Sequence, residues 1–246
     1  YVEEDDRAPA TVKQNLAALR RLFDFLVTGQ VLSSNPAEPV RSPSLQTDGG
    51  KTPALTAEEA HELLDSIVAD REELPQLRDR AIIGVMTYTF ARVSAVCRLD
   101  VGDYFRAGRR WKIRLHEKGG QRRTVPVHHK AQDYLDAYLD RAGIGEDRDV
   151  PLFQSLRGRT GELTGNRLLA DNALQMVKRR AEEAGFDPAQ VTCHTFRATG
   201  ITTFLENGGD LETARHVAGH ASANTTRICD HRDQQVAQEE IERVRI

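Results

Sequence analysis

The chain has 246 residues, of which 39% are hydrophobic and 29% are charged, and this composition excludes a mainly disordered or collagen-like protein. No stretch approaches about 18 apolar residues and the first residues carry no secretory signal pattern, so the sequence indicates neither a membrane span nor an export signal. With a formal net charge of −3 and three cysteines that lack CxxC spacing, it indicates neither a uniformly basic coat nor a disulfide framework, and it predicts a cytoplasmic protein.

The first 40 residues predict one amphipathic helix, capped by Thr11 and ending near Gly29. Its apolar stripe recurs at spacings of three and four: Val12, Leu16, Leu19, Phe23 and Leu26. One such helix cannot bury its stripe alone, so residues 1–40 are interpreted as the end of a helical domain that begins outside this sequence. Residues 41–53 contain Ser, Pro and Gly with almost no apolar periodicity, which predicts a linker.

Residues 54–246 predict a mainly helical domain with one small antiparallel sheet. Thr56 and Glu59 match a capping box that opens a helix, and residues 81–90 are almost uniformly apolar, as in a helix buried on several sides. Helical patterns are also predicted at Lys130–Arg141, Asp171–Ala184, Thr195–Leu205 and Leu211–Val217.

A basic hairpin is predicted near the middle of the chain. Trp111, Ile113 and Leu115 alternate with cations, and extended character resumes at 124–127 after a turn that carries Lys118. Nine lysines and arginines between residues 105 and 130 oppose a single acidic residue, a density that suits a polyanion, although a solvated surface explains any one charge run equally well. The candidate DNA contacts are Arg109, Arg110, Lys112, Arg114, Arg122 and Arg123.

Four segments contain residues that could carry chemistry, and each segment also has a plain structural explanation. Arg92 lies in an apolar segment, Lys118 on a glycine-flanked turn, His194 and Arg197 in the sequence HTFR, and His220 in the sequence AGH. They could equally be an ion-pair partner, a turn lysine, a helix cap and a loop residue. A zinc site is also conceivable, but its ligands lack finger-like spacing, so no metal is predicted: Cys193, His194, Cys229 and His231.

Taken in order, these segments resemble the tyrosine recombinase (phage integrase) family. The matching segments are FARVSAVCRLDVGDY, HEKGGQRRTVPV, CHTFRATGITTFLENGGD and VAGHASANTTRICDHR, preceded by TVKQNLAALRRLFDFLVTGQVLSSNPAEPV. The resemblance implies a mainly α fold with a small antiparallel β-sheet. It also implies that residues 1–40 are the C-terminal part of a helical, SAM-like core-binding domain that clamps DNA, and that residues 54–246 are the catalytic recombinase domain.

The resemblance also implies roles for single residues. Arg92 and Arg197 would be the catalytic arginines, Lys118 the hairpin lysine, and His194 and His220 the two histidines. Planar guanidinium groups suit the charge that grows on phosphate oxygens during phosphoryl transfer, while lysine and histidine suit proton transfer near neutral pH. Neither a metal nor another cofactor is needed for this chemistry.

Two positions depart from the family pattern. The nucleophilic tyrosine would fall at residue 229, which is Cys229, and the acidic residue that commonly follows the first arginine by three positions is Ala95. Cys229 could be an introduced inactivating substitution, a natural loss of the nucleophile, or a thiol that attacks phosphorus itself. Because sulfur prefers softer electrophiles, a chain that is defective in cleavage is predicted.

The implied function is site-specific DNA recombination, in which one strand is cut and rejoined through a covalent 3′-phospho-protein intermediate. The implied partners are double-stranded DNA and further copies of the chain in a homotetramer on synapsed sites, with no membrane and no small-molecule substrate. The last segment carries Val236, Ile241 and Val244 at loosely helical spacing and could dock on the chain itself or on a neighbouring copy. Two alternatives remain, a type IB topoisomerase and a non-catalytic DNA-binding protein on the same fold.

Overall fold

The structure is a computed structural model that describes residues 8–44, 53–68, 73–117, 120–158, 160–220 and 223–230. The chain divides into two compact units, residues 1–48 and 49–246. Most of the predicted linker, the turn lysine Lys118 and the apolar spacing at 236–244 lie outside the described residues. The assignment of residues 1–40 to a DNA-clamping domain therefore remains a prediction.

The first unit contains helix α1, Pro9–Thr28. The predicted cap at Thr11 is wrong, since the helix begins two residues earlier, where the fixed φ of Pro9 suits the first helical position. Only Leu16 of the apolar stripe is buried, and Phe25 is 73% exposed. Arg20 fastens the helix to the chain that follows it by donating from Nε to the carbonyl of Ala37 at 3.1 Å.

The second unit holds eight of the helices that the structure describes. They are α2 Ala57–Ser66, α3 Leu74–Thr89, α4 Val93–Val96, α5 His129–Ala142, α6 Ala170–Glu183, α7 Cys193–Glu206, α8 Leu211–Ala218 and α9 Ala223–Ile228. The predicted capping box is present, because Thr56 accepts from the Glu59 amide at 3.1 Å while the Glu59 carboxylate accepts from the Thr56 amide at 2.8 Å. No helix among the described residues is long and apolar enough to cross a membrane.

Two antiparallel sheets accompany these helices. Strands β1 Tyr104–Ala107, β2 Arg110–His116 and β3 Arg122–Pro126 form one sheet in that order, and β4 Gln154–Leu156 pairs with β5 Leu163–Arg167 in the other. The β2–β3 pairing confirms the predicted hairpin, with Ile113 opposite Val125 and Leu115 opposite Arg123.

Helix α3 lies at the centre of the main core, where Ile82, Ile83 and Met86 have no exposed surface. Helix α7 packs closely on α3 at Gly200, since a Cβ at that position would lie 2.0 Å from the carbonyl oxygen of Thr87. This close approach places the first turns of α7 beside the C-terminal end of α3, where the candidate site lies.

Candidate active site

Arg92 is positioned by the end of helix α3. The helix stops at Phe90, whose left-handed φ of 53° is unusual for a bulky residue and turns the chain so that Arg92 becomes the residue that caps α4. The Arg92 side chain is 44% exposed, and its Nη1 donates to Oε2 of Glu117 at 3.0 Å. Arg92 is thus accessible at the surface while its guanidinium is fixed from one side.

Arg197 lies on α7 and is almost completely buried, with 1% of the residue exposed. Its Nη1 donates to the carbonyl of Phe90, and its Nη2 donates to the carbonyl of Ala218 at 2.8 Å and to Nε2 of His220. Burial, together with the charge of Arg92, lowers the pKa of Arg197 to about 10. Arg197 therefore remains a cation at neutral pH.

His220 follows helix α8 directly after Gly219, whose φ of 63° reverses the chain. Because a guanidinium only donates, Nε2 of His220 accepts from Arg197, and the ring proton on Nδ1 donates to Oγ1 of Thr226 at 2.9 Å. Burial, reinforced by the charges of Arg197 and Arg92, lowers the pKa of His220 to about 3. The imidazole is neutral at pH 7 in this arrangement.

Cys229 follows helix α9 and is 4% exposed. Its Sγ lies 3.9 Å from Nε2 of His194, and its carbonyl accepts from Oγ1 of Thr202 at 3.1 Å. Burial raises the pKa of the Cys229 thiol, although Arg197 and Arg92 oppose the shift. The thiol is consequently protonated at neutral pH, which makes it a weak nucleophile.

Arg197 contacts His220, His194 lies beside Cys229, and the charges of Arg92 and His194 both reach His220, so five of the six predicted catalytic residues lie together. The sixth, Lys118, lies outside the described residues. The cavity beside them has a volume of about 600 Å³. It is bounded by Arg92, Ser94, Arg98, Glu117, Gln121, Gly219, His220 and Thr225. No group of three metal-ligating side chains occurs among the described residues, and His231 of the alternative zinc site is outside them.

Comparison with known proteins identifies the family of this chain. Residues 53–235 match the phage integrase family. Tyrosine recombinase XerC of Myxococcus xanthus is 31% identical over 244 residues, which cover 97% of this chain and 76% of that protein. The chain belongs to the phage integrase family. By lineage it is one of the tyrosine recombinases, DNA strand transferases whose function is site-specific recombination, as the order of its motifs predicted.

One further relative agrees with this assignment, and one solved structure shares the fold. Tyrosine recombinase XerD of Mycobacterium leprae is 34% identical over 216 residues, covering 87% of this chain and 66% of that protein. A crystal structure of XerH site-specific recombinase in a post-cleavage complex with a palindromic difH substrate superposes with a TM-score of 0.74 and 23% identity, covering 98% of this chain and 67% of that one. This likeness confirms the predicted mainly helical recombinase fold.

The hairpin cations of this recombinase are divided by the pleat of the sheet. Arg110, Lys112, Arg114 and Arg122 share the outer face, opposite the face that buries Ile113 and Leu115, and Arg109 lies in the turn before β2. Arg114 is held there, over the Phe105 ring at 4.9 Å and 3.6 Å from Asp103. Arg123, paired with Leu115, lies on the inner face.

The motifs did not assign three residues to the recombinase site: Glu117, Thr226 and Arg123. Glu117 accepts from both Arg92 and Arg123, at 3.0 and 2.9 Å, and Thr226 fixes the tautomer of His220. The alternation along the hairpin carried a signal for Arg123, because residues that pair with buried positions of β2 also point inward. The motifs gave no role to Glu117 or Thr226, although each lies within a matching segment and only six residues from a partner, Arg123 and His220 respectively.

Proposed function

We propose that this recombinase chain binds duplex DNA, holds one phosphodiester among Arg92, Arg197, His194 and His220, and is defective in strand cleavage because residue 229 is a cysteine. The observation that carries the proposal is that Arg92 and His220 line one open cavity, with Arg197 bonded to His220 and His194 beside Cys229. Nε of Arg197 is buried without a hydrogen-bond partner among the described residues, and a phosphate oxygen would supply the missing acceptor.

In the proposed reaction the nucleophile attacks phosphorus, and the bond to the 5′ oxygen breaks. The products are a covalent 3′-phospho-protein link and a free 5′ hydroxyl. His194, which lies beside position 229, takes the proton of the nucleophile, and Lys118 donates a proton to the departing 5′ oxygen. Attack by a hydroxyl of the partner strand reverses these steps, so the energy of the phosphodiester is conserved without ATP.

Cleavage by the chain as it stands is disfavoured by the geometry and the ionisation of Cys229. Its thiol is buried and has a raised pKa, so little thiolate is available at neutral pH. Cysteine also carries its sulfur several ångströms closer to the backbone than tyrosine carries its oxygen, and attack requires an approach of roughly 3–3.5 Å. The proposed role of this chain is therefore DNA binding at a recombination site without efficient strand cutting.

The test restores the missing hydroxyl. Cys229→Tyr should form a covalent adduct with a pool of nicked duplexes of randomised sequence, seen as a shifted band on a denaturing gel. Cys229→Phe is the matched control, because it adds the same ring without the oxygen and should form no adduct. A strong adduct from the unmodified chain that Cys229→Ala abolishes would instead establish a thiol nucleophile and contradict the proposal.

The same variant separates the two alternative functions. A type IB topoisomerase activity would appear as relaxation of supercoiled plasmid by Cys229→Tyr without strand exchange between two labelled duplexes. A non-catalytic DNA-binding protein would bind duplex DNA and yet give no adduct with tyrosine at position 229. Recombination further requires the homotetramer, which sedimentation of the chain with paired duplexes would detect as a complex of four chains.

A further inference from the structure

We infer that Arg123 is a third arginine of the phosphate site, oriented by Glu117, and not one of the cations that contact DNA from the outer face of the hairpin. The inference rests on the proposed function, because it takes the ligand of the cavity to be a phosphate group of DNA. It assigns neighbouring arginines of one strand to different tasks.

The pleat of strand β3 separates Arg123 from Arg122. Arg122 is exposed and pairs with His116 on the outer face, whereas Arg123 pairs with Leu115, which is fully buried. Only 11% of the Arg123 side chain is exposed. Burial of a charge costs free energy unless the charge gains specific partners. A cation that only attracts DNA at long range has no need of burial, so the burial of Arg123 indicates a specific partner.

The guanidinium of Arg123 has donors that the described residues leave unused. Nη2 donates to Oε1 of Glu117 at 2.9 Å, but Nε and Nη1 are both buried and have no partner among the described residues. Buried donors without acceptors are rare in native proteins. Nε and Nη1 lie on different edges of the guanidinium, so one phosphate group would pair with one of them and with the second proton of Nη2. Such a fork matches the spacing of two phosphate oxygens.

These donors lie beside the catalytic constellation. A Cβ at Gly219 would be 2.9 Å from Nε of Arg123, so the backbone that leads into His220 passes directly against this nitrogen. The Arg123 charge also reaches His220, where it contributes to the low pKa of the imidazole. Glu117, which accepts from Arg123, and Gly219, which passes against it, both line the cavity, so the Arg123 guanidinium lies at the cavity wall.

Glu117 positions Arg92 and Arg123. Its Oε2 accepts from Arg92 at 3.0 Å and its Oε1 accepts from Arg123 at 2.9 Å, so one carboxylate holds both guanidinium groups with separate oxygens. Burial opposes ionisation of Glu117, but these two arginines outweigh it and hold the pKa of the carboxyl below its ordinary value. Three arginines against one carboxylate leave the pocket cationic.

Inorganic phosphate, titrated into the full chain and followed by calorimetry, tests the inference. Arg123→Ala should weaken phosphate binding about tenfold or more, equivalent to about 1.4 kcal/mol, because it removes a bidentate partner. Arg122→Ala is the matched control, since it removes the same charge one residue away, and it should change the affinity less than about twofold. The phosphate affinity of Arg123→Lys should lie between those of the two alanine variants, because lysine keeps the charge but lacks the two-pronged guanidinium.

Thermal unfolding of each variant shows whether it is folded. If Arg123→Ala does not fold, Arg123→Lys serves in its place, because lysine retains a positive partner for Glu117. Equal phosphate affinity in Arg123→Ala and Arg122→Ala would overturn the role of Arg123. So would Arg123→Lys binding as tightly as the unmodified chain. If either result is found and the unmodified chain still binds duplex DNA, only the role of Arg123 is overturned and the proposed function survives. If the unmodified chain binds neither phosphate nor DNA, the role of Arg123 and the proposed function are both overturned.

Discussion

The neutral imidazole of His220 links the candidate site to the pH dependence of stability. Its pKa is lowered to about 3 in the folded chain, whereas an exposed histidine has a pKa of about 6.5. Between these values the unfolded chain binds a proton that the folded chain does not. The stabilisation from His220 is therefore fully present above about pH 6.5 and is lost progressively as the pH falls towards 3.

We expect His220→Gln to flatten this dependence, because the glutamine side chain cannot take up a proton in either state. For the unmodified chain, the free energy of unfolding should fall by up to about 1.4 kcal/mol per pH unit from this group as the pH drops below 6.5. Urea unfolding at pH 7.5, 6 and 5 measures the slope. His216→Gln, at an exposed position on α8, is the control and should leave the slope unchanged. Parallel slopes in all three chains would contradict the assignment.

The packing of α7 on α3 is the contact between elements on which the site depends most directly. A Cβ at position 200 would lie 2.0 Å from the Thr87 carbonyl and 3.0 Å from two carbons of the Phe90 ring. The Thr87 carbonyl is backbone and cannot rotate away, so the helices must separate. Because Arg197 lies one turn earlier on α7 and donates to Phe90, such a separation also disturbs the cationic site.

Gly200→Ala should accordingly destabilise the fold by roughly 1–3 kcal/mol or more and weaken inorganic phosphate binding. Gly145→Ala provides the same chemical change at an exposed position, where the nearest atom would be 4.0 Å from the new Cβ. That variant should change the free energy of unfolding by less than about 1 kcal/mol. Urea unfolding with phosphate titration measures both effects, and similar behaviour of the two variants would mean that α7 does not need this close approach.

The longer elements were predictable from the sequence because their apolar periodicity extends over several turns. Helices α5, α6, α7 and α8 begin and end within two residues of their predicted bounds. The short elements were not predicted: β1, β4 and β5 have three to five residues, and α9 has six. A strand of four residues offers two inward positions, too few for alternation to stand out, and its pairing is decided by distant partners.

For the candidate site, the sequence supplied the residue types and the structure supplied their grouping. Arg92 and Arg197 could be recognised because each lies in a motif with local spacing. Glu117 could not, because it acts through Arg92 and Arg123, which reach it from other elements. Arg92 and Glu117 are 25 residues apart in the chain, and their contact depends on how the hairpin packs against α4. The local sequence pattern does not specify that packing.

Charge is segregated across the whole molecule, and this arrangement allows an acidic chain to bind a polyanion. The formal net charge is −3, yet the outer face of the hairpin gathers four cations on adjacent strands. A ligand close to that face is attracted locally, because exposed charges farther away than about 10 Å are largely screened at 0.1 M salt. Binding should therefore depend on the position of the cations and not on the net charge.

That dependence predicts the effect of salt on DNA binding by the full chain. Fluorescence anisotropy between about 50 and about 300 mM KCl measures the affinity for duplex DNA. The logarithm of the binding constant should fall linearly with the logarithm of the salt concentration, because phosphate contacts release counterions. Arg110→Ala with Arg122→Ala should reduce the slope by about 2, because each phosphate contact contributes about 0.9. Arg141→Ala with Lys178→Ala removes the same charge from helices α5 and α6 and should leave the slope unchanged. If both double variants shift the affinity equally and keep the slope, the outer face of the hairpin does not contact DNA, and the basic residues there are only a solvated surface.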